Sequence, residues 1–561
     1  MTNHKHDSNG IRKHKETMMR FMTRVAIATS ISTLVLAGCG GDDDTVSATP
    51  AVSVADYVVP RVPSCSPGDT PETALQGQVP AALRQSGFGG FNCNLKRVSQ
   101  LQGEGASWSA ATYKDKQGQT CFYHATIGAT PIFNNPDAPP RVNPGVPVIN
   151  ISDPVHPVRV TSLTSTAMID PWESLRVNVA RGILAADNGL GSAGGPELDL
   201  YDIATDCTRP QLLASVPVGT GADGGVVPGT APLGHEGAFS PDGLTYYIGS
   251  PTAKSYYAVD LTIPTRPKLI SAISMAELGF GSGPHGLSVS QDGTRAYFVA
   301  LGNAGAAAGM GPPPLDNLNS NGDNGFFVVD TSEVQNRRPN AQMHRIATVP
   351  VRDGSVAQHT IPFLVSGKPY LLEVDEGGAG GLQDPSATAV KAACNAGMTP
   401  FPLGHIYDMA NEATPRLISE LRLETHVPQN CSKVIPDLQG LSTFTYGSHY
   451  CSVDNRENAT ALACSYFNSG VRVFDIRDPS KPKEIAYYNP PSAKSPGAGS
   501  GHLMLGQYRP GGPDWCTARL DFDFDRHLLT TACSDNGLLV LSFENGSWPF
   551  PESTKAKEIG N

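Results

Sequence analysis

The stretch VRVFDIRDPSKPKEIAYY, residues 471–488, decides the fold. An apolar, β-branched run ends in an aspartate, a proline-bearing turn follows, and a second strand-like run comes after it. The pattern recurs as VPVINISDPVHPVRVTSL (146–163), LDLYDIATDCTRPQLLASV (198–216), YYAVDLTIPTRPKLISAI (256–273), FFVVDTSEVQNRRPNAQMHRIATV (326–349) and GHIYDMANEATPRLISEL (404–421). An incomplete copy, LLVLSFENG (538–546), closes the series. The anchor residues are Asn150, Asp202, Asp260, Asp330, Asp408, Asp475 and Ser542. Ahead of each anchor a hairpin can be read, as in GLSVSQDGTRAYFVAL (286–301), where alternating strands flank an Asp-Gly turn. Each unit is therefore four antiparallel strands, the sequence form of a propeller blade. The anchor carboxylates have a structural role to fill, accepting backbone N–H groups in the turn that follows.

The last unit lacks its fourth strand, and NLKRVSQLQGEG, residues 94–105, matches the style of the missing one. The sequence thus predicts an all-β, seven-bladed propeller over 94–546 whose ring is closed by an N-terminal strand, which hides the sheet edges. A solenoid would instead need capping repeats. The strands VRVFDIRDP and VPVINISDP resemble the LVIVD-repeat family of bacterial propellers, and PHGLSVSQDG with GAFSPDG resembles seven-bladed propellers of the YVTN-repeat kind. The resemblance covers roughly 95–546. It implies the fold without selecting a function, because propellers host hydrolases, oxidases, lyases and binding scaffolds.

Composition bounds the partners. Of 561 residues only 17% are charged, the formal net charge is −11, and no Lys/Arg cluster marks the body of the chain, which argues against nucleic acid. The N-terminal region reads as an export signal: Arg20 and Arg24 precede an apolar run, Val25 to Leu36, too short to span a bilayer. Leu36 to Cys39, LAGC, resembles the lipobox of bacterial lipoproteins, which implies cleavage before Cys39, its acylation and a cell-envelope location. Gly40 after the cysteine points to the outer membrane in that family. Residues 1–38 are then a signal region with an upstream extension, 39–63 the lipidated cysteine and linker, 64–93 an irregular segment and 547–561 a tail. Ten cysteines remain, an even number that in an oxidising compartment reads as up to five disulfides. Cys394 should pair with Cys431 across two loops, and Cys451 with Cys464 and Cys516 with Cys533 across hairpins. The pairing of Cys65, Cys93, Cys121 and Cys207 is left open.

Four histidines break the symmetry of the repeat. His235, His285 and His359 each stand eight residues ahead of a turn glycine, Gly243, Gly293 and Gly367, and His449 holds the matching place in the next unit. All four fall where a blade's first strand begins, in blades three to six, so they should share one mouth of the central channel. Such imidazoles either hook the blades together through both ring nitrogens or hold a transition metal such as Cu, Fe or Zn. Glu236 could add a carboxylate and His502 a further imidazole, although His502 and His426 read more readily as solvated loop residues. Insertions at 302–325 and 376–404 overhang the same face. Asp521 to His527, DFDFDRH, reads as a solvated strand face, since its spacing does not match a calcium loop. The first functional expectation is an envelope scaffold, lipid-anchored, binding a protein, glycan or small ligand. The alternative is a His-ligated metalloenzyme, in keeping with a distant resemblance, through motifs such as YDI and FDIRDP, to the selenium-binding and methanethiol oxidase propellers, an oxidoreductase reading.

Overall fold

In a computed structural model, residues 56–127, 135, 138–189, 196–218, 234–302, 323–380, 387–441 and 444–548 are described. Cys39 and the signal region lie outside them, as does most of the 302–325 insertion. The described chain forms seven antiparallel sheets. Blade 1 comprises Ala110–Lys114, Thr120–His124, Val146–Asn150 and Val158–Leu163. Blade 3 comprises Glu236–Phe239, Thr245–Ser250, Ser255–Asp260 and Lys268–Ser274, and blades 2, 4, 5 and 6 repeat that order. Blade 7 is closed as expected. Leu95–Leu101 pairs antiparallel with Gly537–Phe543, from Leu95 opposite Phe543 to Leu101 opposite Leu538. The segment before it is less irregular than its composition implies: Phe91–Cys93 adds a fifth strand to blade 6 against Lys483–Asn489.

The six Asn and Asp anchors each end a third strand and take up the same hydrogen bond. The side chains of Asn150, Asp202, Asp260, Asp330, Asp408 and Asp475 accept the backbone N–H two residues on, at 2.8 to 3.0 Å. That contact fixes the tight turn to the outer strand. The inner hairpins turn at Gly243 and Gly293, whose φ of +67° and +74° favours glycine over a residue with a side chain. Apolar strand faces pack between blades. Tyr256 of blade 3 stacks on Phe298 of blade 4 at 4.0 Å, and its hydroxyl accepts the N–H groups of His285 and Val299. Such a pair adds about 0.5–1.5 kcal/mol to what area burial supplies.

All five disulfides form. Cys394–Cys431, Cys451–Cys464 and Cys516–Cys533 are those expected, and Cys65–Cys93 and Cys121–Cys207 complete the set. Five such bridges indicate an extracytoplasmic, oxidising location. Among the described residues no helix is long and apolar enough to cross a membrane.

Ring closure rests on Leu95–Leu101, where Leu95 is fully buried and Val98 and Leu101 pack on the inter-blade core. These side chains contribute on the order of 5 kcal/mol. A chain beginning at residue 56 should unfold cooperatively on heating. One beginning at residue 103 should lose that cooperativity and scatter light through its open blade 7 edge; equal melting of the two would refute the closure.

Candidate metal centre

The four histidines reach one channel mouth, and each is placed by the start of an inner strand. His235 directly precedes the first strand of blade 3, His285 lies in Pro284–Val289 of blade 4, His359 in Val356–Val365 of blade 5, and His449 two residues before Cys451–Val453 of blade 6. The position of blade 2 is held by Glu173, ahead of Arg176–Asn178. Glu173 is the hub. Its carboxylate lies 3.3 Å from His235 Nε2, 3.4 Å from His449 Nε2 and 3.9 Å from His285 Nε2. Glu376, from the end of the second strand of blade 5, lies 3.7 Å from His285 Nε2 and 3.8 Å from His449 Nε2. His285, His449 and Glu173 are buried, whereas the side chains of His235 and Glu376 keep 13% and 12% exposure and mark the open side.

The hydrogen bonds assign which nitrogens face inward. His285 Nδ1 meets the Gln358 carbonyl at 2.9 Å and His449 Nδ1 the Thr517 carbonyl at 2.8 Å, so both rings donate outward from Nδ1. His449 Nε2 then accepts the Gln358 side-chain amide at 3.1 Å. The Trp172 indole, which can only donate, reaches His235 Nε2 at 3.2 Å. Three imidazole lone pairs thus converge beside two carboxylates. Burial works against the charge on Glu173, the His235, His449 and His285 rings outweigh it, and its carboxyl sits well below the usual range. An extra proton on every ring would satisfy that arrangement, but burial, reinforced by His235, pushes His285 down to about 3. Burial, with Glu173 and Glu236 nearby, pushes Glu376 well above the carboxylate range. The His285 Nε2 lone pair faces the carboxylates without a donor, and a cation here would take it together with the His235 and His449 lone pairs, displacing the Trp172 and Gln358 donors.

The donors form two groups that share Glu173, one with His235 and His285 and one with His449 and Glu376, and within each the donor atoms lie within 4.8 Å of one another, a size and chemistry suited to an ion. Bonds of about 2.1 Å to a tetrahedral ion put its ligands about 3.4 Å apart, within the 3.3 to 3.9 Å observed between the imidazole and carboxylate atoms. Imidazole with carboxylate suits a first-row ion such as Fe, Cu or Zn. The outward Nδ1 bonds to backbone carbonyls are the kind that orient metal-binding rings.

Two sequence candidates are engaged elsewhere in this network. Glu236 binds Arg176 at 2.8 Å and Arg519 at 2.5 Å, two buried guanidinium groups that need its charge. Tyr450 joins the layers, its hydroxyl 3.0 Å from both Glu173 and Glu236 under a ring capped by Arg519 at 4.2 Å. His359 turns aside: its Nδ1 lies 2.6 Å from Gln358 Oε1 and its Nε2 3.5 Å from the Cys451 N–H, so it hooks blades 5 and 6 and orients the glutamine that touches His449.

His502 and His426 are buried, contrary to the solvated reading, because loops between blades fold over the ring. His502 Nδ1 bonds Asp535 at 2.6 Å, its ring stacks on Trp515, and it groups with Asp514 and Asp535 instead of with the channel histidines. His426 accepts the Leu423 N–H at 2.9 Å and meets the Tyr446 carbonyl at 3.0 Å. At the opposite mouth, Asp521 and Asp523 line a cavity of about 200 Å³ with Asp454 and Arg456. Asp525 there contacts Lys114 at 3.1 Å, and Asp523 pairs with Arg526, so these two carboxylates face cations already.

Sequence reasoning missed Glu173 and Glu376. The signal for Glu173 was an acid in PWESLRV, 171–177, just ahead of an inner strand, the same place the histidines hold. Glu376 gave none beyond its position at the edge of an insertion. No family model matches the chain, and no curated protein matches it. Solved structures do. A periplasmic gluconolactonase from Pseudomonas aeruginosa aligns over 75% of this chain and 99% of its own at 12% identity and a TM-score of 0.43. A candidate 6-phosphogluconolactonase from Bacteroides fragilis aligns over 75% and 92% at 11% identity and 0.40. A Lactobacillus plantarum protein aligns over 65% and 81%, also at 11% and 0.40. At these values the functional reading rests on the geometry alone.

Burial pushes His426 down to about 3, below the value of about 6.5 in an unfolded chain. The unfolded chain therefore takes up the proton first as pH falls. The stabilisation from keeping this ring neutral is whole above about pH 6.5 and is lost toward pH 3, at about 1.4 kcal/mol per pH unit. In His426→Gln the slope of unfolding free energy against pH between 6 and 4 should be flatter by about that amount. Denaturant unfolding at several pH values checks it, and an unchanged slope refutes it.

Proposed function

We propose that the protein is an exported metalloenzyme, with a transition-metal centre at Glu173, where His235 and His285 on one side and His449 and Glu376 on the other supply the remaining ligands. The observation that carries this reading is the approach of three imidazole Nε2 atoms to Glu173, two of them, on the outward-tethered His285 and His449 rings, also facing Glu376. Such an ion polarises a bound oxygen or carries an electron, and its place at an open mouth suits a small-molecule substrate. Around it the chain's own residues have defined tasks. Gln358 and the Thr517 carbonyl set the ring orientations, Tyr450 holds a proton between Glu173 and Glu236, and the Arg176–Glu236–Arg519 layer fixes the floor. Aromatic groups exclude water on one side, with Trp108 and Phe467 at 5.3 and 5.0 Å from the His449 ring and Trp172 at 5.9 Å from His235. An oxidoreductase suits a site open to redox ions. The scaffold reading accounts for the loop-rich face and leaves the histidine–glutamate convergence without a purpose.

Protein purified without a His-tag should carry close to one equivalent of Fe, Cu or Zn at this centre by elemental analysis. His285→Ala with His449→Ala should lose that equivalent while keeping the wild-type circular dichroism spectrum. Metal-free wild-type protein that takes up none of the three ions on titration would leave the scaffold. We propose also that Cys39 carries the lipid anchor at the outer membrane. Cys39→Ser should then move the protein from the detergent phase to the aqueous phase, and a wild-type protein already aqueous would refute the anchor.

A further inference from the structure

Blade 5 holds a second group of buried acids on a different face from the channel mouth. Glu373 and His405 stand directly opposite each other on adjacent antiparallel strands, and Asp375 follows Glu373 on the same strand with the period of two that shares a face. Glu373, Asp375 and His405 are almost wholly buried, whereas Asp353, from the loop entering the blade, keeps 40% of its side chain exposed. His405 Nε2 lies 3.1 Å from Asp353 Oδ2 and forms a hydrogen bond there. The other nitrogen, Nδ1, faces Glu373 Oε2 at 2.9 Å and Asp375 Oδ2 at 3.6 Å.

The Nδ1–Glu373 contact is an ion pair at 2.9 Å without good hydrogen-bond alignment. His405 Nδ1, both oxygens of Glu373 and Oδ1 of Asp375 are buried without a hydrogen-bond partner. Among the described residues no lysine or arginine comes within 4.0 Å of Glu373, Asp375 or Asp353, leaving three carboxylates against one imidazole. One imidazole cannot balance three acids, and Glu373 Oε1 and Asp375 Oδ1 stay buried without any partner; buried carboxylates left so are expensive, and proteins keep them where they pair or bind metal. The ring is tethered as metal-binding histidines are, one nitrogen donating to a carboxylate and the other presented inward. The His405 Nδ1 distances of 2.9 and 3.6 Å to the two inner carboxylates fall either side of the ligand spacing of about 3.0 to 3.4 Å set by bonds near 2.1 Å.

We infer that His405 Nδ1, Glu373 and Asp375 form a second divalent-metal site, with Asp353 orienting the imidazole and opening the site to solvent. One imidazole with two carboxylates selects a borderline ion such as Mn²⁺ or Zn²⁺ over Ca²⁺ or Mg²⁺, which take oxygen ligands. The site needs nothing from the channel mouth, although Asp375 and Glu376, which serve the two, are neighbours in sequence.

The test strips the full-length protein with a chelator and titrates it with Mn²⁺ alone, then with Zn²⁺ alone. Glu373→Gln with Asp375→Asn should bind one equivalent fewer than wild type, whether or not the channel mouth also loads, and equal stoichiometry overturns the proposal. The stripped double variant should also melt above the stripped wild type, since it removes unpaired buried charge; a purely structural network predicts the reverse. Asp353→Asn, at the exposed edge, serves where the double variant does not fold. It should weaken Mn²⁺ binding about 10- to 100-fold, and unchanged affinity overturns the inference.

Discussion

Seven inner strands have to enter one axis, and that constraint governs the rest of the molecule. Where they begin, side chains from different blades are forced within a few ångströms of one another, too close for bulk water to solvate them. Each polar group there needs a protein partner. Arg176 and Arg519 share Glu236, Tyr450 bridges Glu236 to Glu173, and His359 ties Gln358 beneath His449. The mouth is thus layered: a floor in which two arginines share one glutamate, then a ring of imidazoles gathered on Glu173. Propellers that fill this position with apolar side chains would have no such imbalance.

The floor also explains the allocation of acids. Glu236 and Glu173 both approach the axis, yet only Glu236 meets guanidinium groups, one from the strand of blade 2 and one from blade 7. Burying two arginines requires a carboxylate between them. That demand removes Glu236 from the imidazole layer and leaves Glu173 to serve it.

The architecture was legible because it repeats. Six anchors at equivalent places, each read as a turn acceptor, are each found making the same bond, and the missing strand of blade 7 named its own replacement. The site was half legible for the complementary reason. His235, His285 and His449 stood out against the repeat, but Glu173 and Glu376 are single acids in a chain with many. His359 shared the spacing of the others and not their direction, because bulges around Ala357 break the strand's register before it. Burial of His426 and His502 depends on loops folding back over the ring, which no local pattern encodes. Phe91–Cys93 is three residues long, too short for alternation to mark it.

The pairing of Leu95 with Phe543 joins opposite ends of the ring in the order of synthesis. Blade 7 cannot exist until the last strands of the chain emerge, so the earliest residues of the fold wait longest for their partner. Contacts of such long range make folding slow and leave strand edges exposed meanwhile. The ring as a whole can close only once the C-terminal strands are there to meet Leu95–Leu101. The same strand that seals the finished molecule therefore makes ring closure depend on the whole chain being present.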